Sequence, residues 1–206
     1  MHQTALGAFR SAAGDALSLA AGFLIGINLR EVIVMFNLRG ADESDLAAIL
    51  AIYNHAIETT TAVFDYRPHT LQMRRDWLHS KRSANCPIVV AVNNTEVVGF
   101  ATYGPFRAWP AYKYTVEHSV YVAATSRRRG IGRALVNEMV SEARRNQMHN
   151  VIAGIVSDNL PSLDLHRSLG FVDAGCVHQV GYKFGRWLDL TFLELLLDTP
   201  GNPEER

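Results

Sequence analysis

The six residues Arg127-Arg-Arg-Gly-Ile-Gly132 constrain this chain most. They follow a β-branched run, Tyr114 to Ala123, and precede an amphipathic stretch, Arg133 to Arg145, whose Ala134, Leu135, Met139 and Val140 recur at helical spacing. A strand that enters a helix through a glycine-containing loop has to return to its sheet by a crossover. Val151 to Val156 is the apolar run that receives it. The loop also has a chemistry. Glycine lets backbone approach a ligand closely, and the first turn of a helix leaves N–H groups unpartnered in a field that favours anions. With Arg127, Arg128, Arg129 and Arg133 around Gly130, Ile131 and Gly132, the segment suits a pyrophosphate. It also reads as a glycine-rich turn bearing solvated arginines. It is neither the nucleotide P-loop, since no Gly-Lys-Ser/Thr follows, nor the dinucleotide fingerprint, which needs a third glycine.

The rest of the pattern fills in the sheet. Phe36 to Arg39 reads as a short strand. Asp42 and Asp45 have capping-box spacing ahead of a helix over about Glu43 to Ile57, and Thr70 caps a second helix carrying Arg74, Arg75 and Trp77. Ile88 to Val92 and Val97 to Tyr103 form a hairpin across Asn93-Asn94. Asn159 to Leu169 is a short helix stopped by Gly170, and Phe171 to His178 and Trp187 to Leu197 are the last strands. A meander joined to strand-helix-strand crossovers predicts an α/β (α+β) domain, a mixed sheet flanked by helices. The domain spans 36–197. An extension, 1–35, precedes it, read either as a targeting segment or as lying upstream of a natural start at Met35; a polar tail, 198–206, follows.

Charge and cysteine content narrow the function classes. Lys plus Arg and Asp plus Glu both total 20 in 206 residues, which argues against broad attraction to nucleic acid. The apolar run Ala16 to Leu29 is too short and glycine-rich to span a bilayer. Cys86 and Cys176 make no Cys-x-x-Cys pair, and a reducing cytosol fits them. The histidines show no metal-ligand spacing; His166 and His178 are 12 apart without a partnering carboxylate pattern.

Strand alternation from Thr115 to Val122 puts Thr115, Glu117, Ser119 and Tyr121 on one face and Val116, His118, Val120 and Val122 on the other. A carboxylate in such a strand is either a general base, its pKa raised by burial, or the structural partner of an arginine. His118 adjoins Glu117 but faces away from it and reads as structural.

The arginine-glycine loop resembles the Arg/Gln-x-x-Gly-x-Gly/Ala loop of the GNAT acetyltransferases. The resemblance extends to LAIYNHAIETTTAVFD (50–65), YGPFR (103–107), TVEHSVYV (115–122), DNLPSLDLHRSLGF (158–171) and QVGYKFGRWLDL (179–190), which look like the phosphinothricin and methionine sulfone/sulfoximine acetyltransferase branch. It implies a GNAT fold, a mostly antiparallel sheet with a splayed central strand pair. It implies acetyl-CoA as co-substrate, no metal, a cytoplasmic homodimer, and acetyl transfer by direct attack of a small amino-acid-like amine. The rival readings are acetylation of a protein N-terminus or lysine, and a non-catalytic acyl-CoA sensor. Carried over by position, Glu117 matches the proposed base, and His166, where many relatives have Tyr, an acid or base near the departing sulfur. Asn159, which is also a good N-cap, and Ser162 lie near the pantetheine end, whose amides the backbone of Val120 and Val122 would bind. Arg74 and Arg75 are the acceptor candidates, though one helix cannot point both the same way. Phe64, Tyr103 and Thr115 complete the expected pocket.

Overall fold

The computed structural model describes residues 36–205; the extension 1–35 lies outside the described residues. Strand β1 (Phe36–Gly40) leads through a 3-10 turn (Glu43–Asp45) into helix α1 (Leu46–Thr59), and α2 (Leu71–Ser83) follows. Strands β2 (Ile88–Asn93), β3 (Glu96–Pro105) and β4 (Thr115–Val122) form the meander. Helix α3 (Ile131–Arg145), β5 (Asn150–Val156), α4 (Leu160–Arg167), β6 (Val172–Lys183) and β7 (Arg186–Leu196) complete the order.

The capping signals work as their chemistry dictates. Asp42 accepts from the Ser44 N–H, and Asp45 reaches back to the Asp42 N–H at 2.9 Å while pairing with Arg39 at 2.7 and 2.8 Å. Thr70 accepts from the Met73 N–H and starts α2. Gly170 ends the α4 region at φ +92°, a conformation that costs glycine little.

The seven strands stand in the order β1-β2-β3-β4-β5-β7-β6. Every pairing is antiparallel except β4–β5. That parallel pair holds for only three positions, Thr115–Asn150, Val116–Val151 and Glu117–Ile152. Beyond them β4 stays with β3 and β5 stays with β7, so the sheet opens along its middle.

Each face of the sheet is covered by its own helices. Helix α3 buries Ile131, Leu135, Val136, Met139, Val140 and Ala143 against Val89, Ala101, Val116, Val151 and Ala153. Val136, not Ala134, completes its inward stripe. On the other face Ile49 of α1 meets Val90, Val97 and Phe100, and Leu46 and Leu78 pack with Ile88. Strand β6 is longer than the sequence pattern indicates because two irregularities, at Asp173/Gly175 and Val177/Gly181, break its alternation while it stays paired with β7.

One buried cation fastens the sheet's far edge to the segment after α1. Lys183, 4% exposed, donates from Nζ to the carbonyls of Ile57, Thr60 and Val63 at 2.7, 3.0 and 2.7 Å. Three donors thus satisfy three carbonyls, that of Ile57 in the last turn of α1 and those of Thr60 and Val63 just beyond it. Lys183→Met keeps the apolar stem and strands those carbonyls. We expect it to lower the unfolding free energy by on the order of 2–4 kcal/mol, read from the urea midpoint at unchanged m-value.

Candidate active site

The gap between β4 and β5 is a cleft of about 1500 Å³. Its walls are β4 from Glu117 to Val122, β5 from Ala153 to Val156, and the segment 59–65 after α1. Ser126 to Arg133 lies at one end and the α4 segment from Asn159 to His166 borders it. A second, smaller cavity of about 240 Å³ lies under α2, lined by residues including Arg74, His69, Trp77, Lys81 and Thr102. Tyr53, Ser119 and Tyr121 line both spaces.

At the arginine end the backbone is arranged for an anion. Arg128 at φ +60° and Gly130 at φ +78° turn the chain into α3, which has no side-chain cap. The first intrahelical bond is Ala134 N–H to Gly130 O, leaving the N–H groups of Ile131, Gly132 and Arg133 without helical partners. Arg127, Arg128 and Arg133 line the cleft here, and Arg127 Nε reaches Val122 O at 3.4 Å. A Cβ at Gly132 would meet Leu165 at 3.4 Å, an ordinary van der Waals contact between the loop and α4. Arg129 is exposed and outside the cleft lining, and Ile131 is a core residue, 1% exposed.

The middle of the cleft offers unused strand edges. The Ala123 N–H bonds Val98 O on the β3 side. By alternation the N–H groups of Val120 and Val122 point the other way, across the gap. Asn159 caps α4 by accepting from the Ser162 N–H at 3.4 Å, and both residues line the cleft.

Glu117 stands at the last rung before the strands part. It is half-buried and, among the described residues, its carboxylate accepts no hydrogen bond and joins no ion pair. Burial raises its pKa from the ordinary carboxylate value, and the charge of Arg107 pulls the other way more weakly. Gly154 makes the room: a Cβ there would come within 2.8 Å of Glu117 Oε1.

His118 and His166 meet on the opposite face. Both are buried, their Nε2 atoms 3.2 Å apart. His166 Nδ1 lies 2.7 Å from Ser162 O, and a carbonyl can only accept, so Nδ1 carries the proton. Neutral His166 therefore offers a lone pair at Nε2, and His118 Nε2–H donates to it. His118 Nδ1 is left buried without a partner. Burial, and then repulsion from His166, push the His118 pKa down to about 3; burial lowers that of His166, opposed by its bond to Ser162. His118 thus has a structural partner that strand alternation alone does not reveal, and His166 at rest has no Nε2 proton to give.

The two helix arginines part company, as helical geometry requires: Arg75 is exposed and Arg74 is 3% exposed. The Arg74 guanidinium sits 3.7 Å over the Tyr53 ring and donates to His69 Nδ1 at 2.8 Å. His69 Nε2 lies 2.9 Å from Asp65 Oδ2, so the ring relays between cation and carboxylate. Among the described residues no carboxylate pairs with Arg74 and its Nε has no partner, and burial lowers its pKa. Lys81 Nζ, bonded to Tyr103 O at 2.7 Å, brings a second cation to this cavity.

Three expected pocket residues divide differently. Phe64 lines the cleft. Tyr103 does not: it is 3% exposed in the α3-side core, its hydroxyl accepting from Asn146 at 2.6 Å, because strand alternation points it away from α2. Thr115 lies at the closed end of the β4–β5 pair and lines neither space. The sequence reading missed Tyr53, His69 and Lys81. Tyr53 falls on the apolar stripe of α1, and nothing in local sequence sets His69 and Lys81 apart from surface residues.

Comparison with known proteins gives this geometry a family. Residues 38–192 match the family model of the acetyltransferase (GNAT) domain. A Salmonella typhimurium protein named L-methionine sulfoximine/L-methionine sulfone acetyltransferase is 43% identical over 167 residues, 81% of this chain and 98% of that one. A Salmonella typhimurium structure containing its cofactor acetyl-CoA superposes with a TM-score of 0.79 at 43% identity, covering 82% of this chain and 98% of that one. A Brucella melitensis structure titled ribosomal-protein-alanine N-acetyltransferase gives 0.77 at 46% identity, over 78% and 99%.

A raised carboxylate pKa has a stability consequence with a definite sign. The folded state favours protonated Glu117, so its contribution worsens as pH rises from the unfolded value through the folded one. Glu117→Gln is therefore expected to be more stable than the parent at neutral pH, with the difference vanishing below about pH 4. Urea unfolding of both proteins across that range checks it; equal stability at every pH would remove the desolvated carboxylate from the account.

Proposed function

The chain belongs to the GNAT acetyltransferases, and on that premise we propose that it moves an acetyl group from acetyl-CoA to the amino group of a small amino-acid-like acceptor. Methionine sulfone, methionine sulfoximine and phosphinothricin are the kinds of acceptor we infer, and the catalytic unit is 36–197. The observation that carries the proposal is Glu117: an unpaired, half-buried carboxylate in the cleft, at the last rung before β4 and β5 part.

The cleft residues fit acetyl-CoA. The N–H groups of Ile131, Gly132 and Arg133, with Arg127, Arg128 and Arg133, suit its pyrophosphate. The N–H groups of Val120 and Val122 suit the pantetheine amides, and Asn159 and Ser162 border that arm. When bound, acetyl-CoA supplies an acetyl group activated as a thioester.

The remaining steps belong to this chain's side chains. Arg74, stacked on Tyr53 and held by His69, lines the small cavity and offers a guanidinium for an acceptor carboxylate. Glu117 takes the proton of the acceptor ammonium, directly or through one water, and its raised pKa makes it a better base than an exposed carboxylate. The departing thiolate needs little acid help, since thiol pKa values lie near ~8.5. His166 then acts by position: its Nδ1–H fixes the first turn of α4 through Ser162, and His118 fixes the ring.

The name of the Brucella structure favours a second reading, acetylation of a protein N-terminus. Such an acceptor needs an open groove, whereas the buried face of Arg74 and the small cavity beneath it favour a small molecule. We also infer a homodimer. Val180, Tyr182, Phe184 and Trp187 form an exposed apolar set at the β6–β7 hairpin end, although Leu188 and Leu193 of β7 serve the core. Among the described residues no helix is long and apolar enough to cross a membrane, and two free thiols suit a cytoplasmic setting.

CoA release should depend on a sulfone, sulfoximine or phosphinothricin acceptor. Glu117→Gln is expected to lower kcat by about 10²- to 10⁴-fold with acetyl-CoA binding intact. Arg74→Ala should raise the acceptor KM and leave that of acetyl-CoA unchanged. Acetyl-CoA binding without release to any of these amines would shift the assignment to a protein acceptor or a sensor. For assembly, Trp187→Glu should turn a dimer into a monomer in sedimentation equilibrium.

A further inference from the structure

Strand β6 carries Cys176 and His178 two residues apart, and its pairing with β7 brings Asp189 to them. Cys176 lies opposite Thr191, and Asp189 lies where the register slips between Val177 and Gly181. Cys176 Sγ is 3.9 Å from His178 Nδ1, and His178 Nδ1 is 3.0 Å from Asp189 Oδ2. All three donor atoms lie within 4.8 Å of one another. None of the three residues lines the cleft or the Arg74 cavity. Histidine spacing along the chain does not reveal this cluster, because the carboxylate comes from the neighbouring strand.

We propose that Cys176, His178 and Asp189 form a binding site for a thiophilic divalent cation of the zinc class, separate from the acetyl-transfer site. Thiolate, imidazole and carboxylate are the three ligand types zinc accepts, and a sulfur-containing set discriminates against magnesium and calcium, which take oxygen ligands in higher number. In a tetrahedral zinc site, donor atoms are spaced roughly 3.3–3.6 Å apart, from bonds of about 2.0–2.3 Å. The observed 3.0 and 3.9 Å bracket that spacing for two of the three pairs, and all three donors lie within 4.8 Å. Asp189 is already aimed. Its Oδ1 accepts from the Gln179 N–H at 2.8 Å, leaving Oδ2 for the ion. Gln179, at φ +51°, is the irregular residue that turns His178 and Asp189 toward each other. Ser157 Oγ, 3.6 Å from Cys176 Sγ and 2.8 Å from Thr191 Oγ1, lies beside the sulfur. Three protein ligands leave the fourth position to water. Binding moves the His178 ring proton to Nε2 and releases the Cys176 thiol proton to solvent.

The simpler account is a surface His–Asp hydrogen bond next to an unrelated thiol, and cobalt distinguishes the two. Co²⁺ added to the reduced full chain should give thiolate-to-cobalt charge-transfer absorption and intense tetrahedral bands at one equivalent. Zn²⁺ should displace it, and Mg²⁺ in large excess should not. Cys176→Ser should abolish the charge-transfer band, His178→Ala and Asp189→Asn should each weaken Zn²⁺ binding at least about tenfold, and Cys86→Ser should change nothing. Circular dichroism verifies the fold of each variant, whose altered side chain is exposed or half-buried. Absence of the tetrahedral bands, survival of the charge-transfer band in Cys176→Ser, or its loss in Cys86→Ser would overturn the proposal.

Discussion

Three rungs of parallel pairing between β4 and β5 hold the molecule together and also limit it. Up to Glu117 the two strands satisfy each other's backbone. Past it they diverge, each staying paired on its outer edge with its antiparallel neighbour. Unpaired strand groups inside a domain are costly. They persist here because the gap is wide enough to be solvated or filled. The length of β4–β5 contact thus sets where the cleft begins and which residue stands at its apex.

The buried polar groups share one logic. Asp45 is neutralised by Arg39 and a backbone N–H, and Lys183 by three carbonyls. These are complete, and they do structural duty. Glu117, Arg74 and His118 are incomplete: a carboxylate without a donor, a guanidinium with an orphan Nε, an imidazole with an orphan Nδ1. Incomplete groups destabilise the fold they sit in. Glu117 lines the cleft and Arg74 the cavity under α2. His118 also lines the cleft, with its Nε2 bonded to His166.

Much of this was legible in the chain because it rests on local rules. The caps at Asp42, Thr70 and Asn159, the arginine-glycine entry to α3 and the opposed faces of Glu117 and His118 all depend on residues within a few positions of one another. What escaped depends on pairing across the sheet. Tyr103 looked like a pocket residue beside Gly104 and Pro105, but its rung with His118 carries it to the α3 side. His118 and His166 are 48 residues apart and touch only because α4 folds back over β4. His69 is invisible until Arg74 turns inward. The length of β6 was hidden by two bulges that break the alternation by which strands are recognised.

The segment after α1 forms one wall of the cleft, and three contacts fasten it to β6. Lys183 gathers its carbonyls, the Tyr66 hydroxyl donates to Tyr182 O at 2.7 Å, and Phe64 covers Gly181 so closely that a Cβ there would lie 2.5 Å from its ring. Sequence distance between the two partners exceeds a hundred residues. For protein engineering, the wall and the strand therefore form one interchangeable part. A designer who transplants 60–66 from a relative to change acceptor preference must carry 181–183 with it, or the graft will arrive without the fittings that give it its shape.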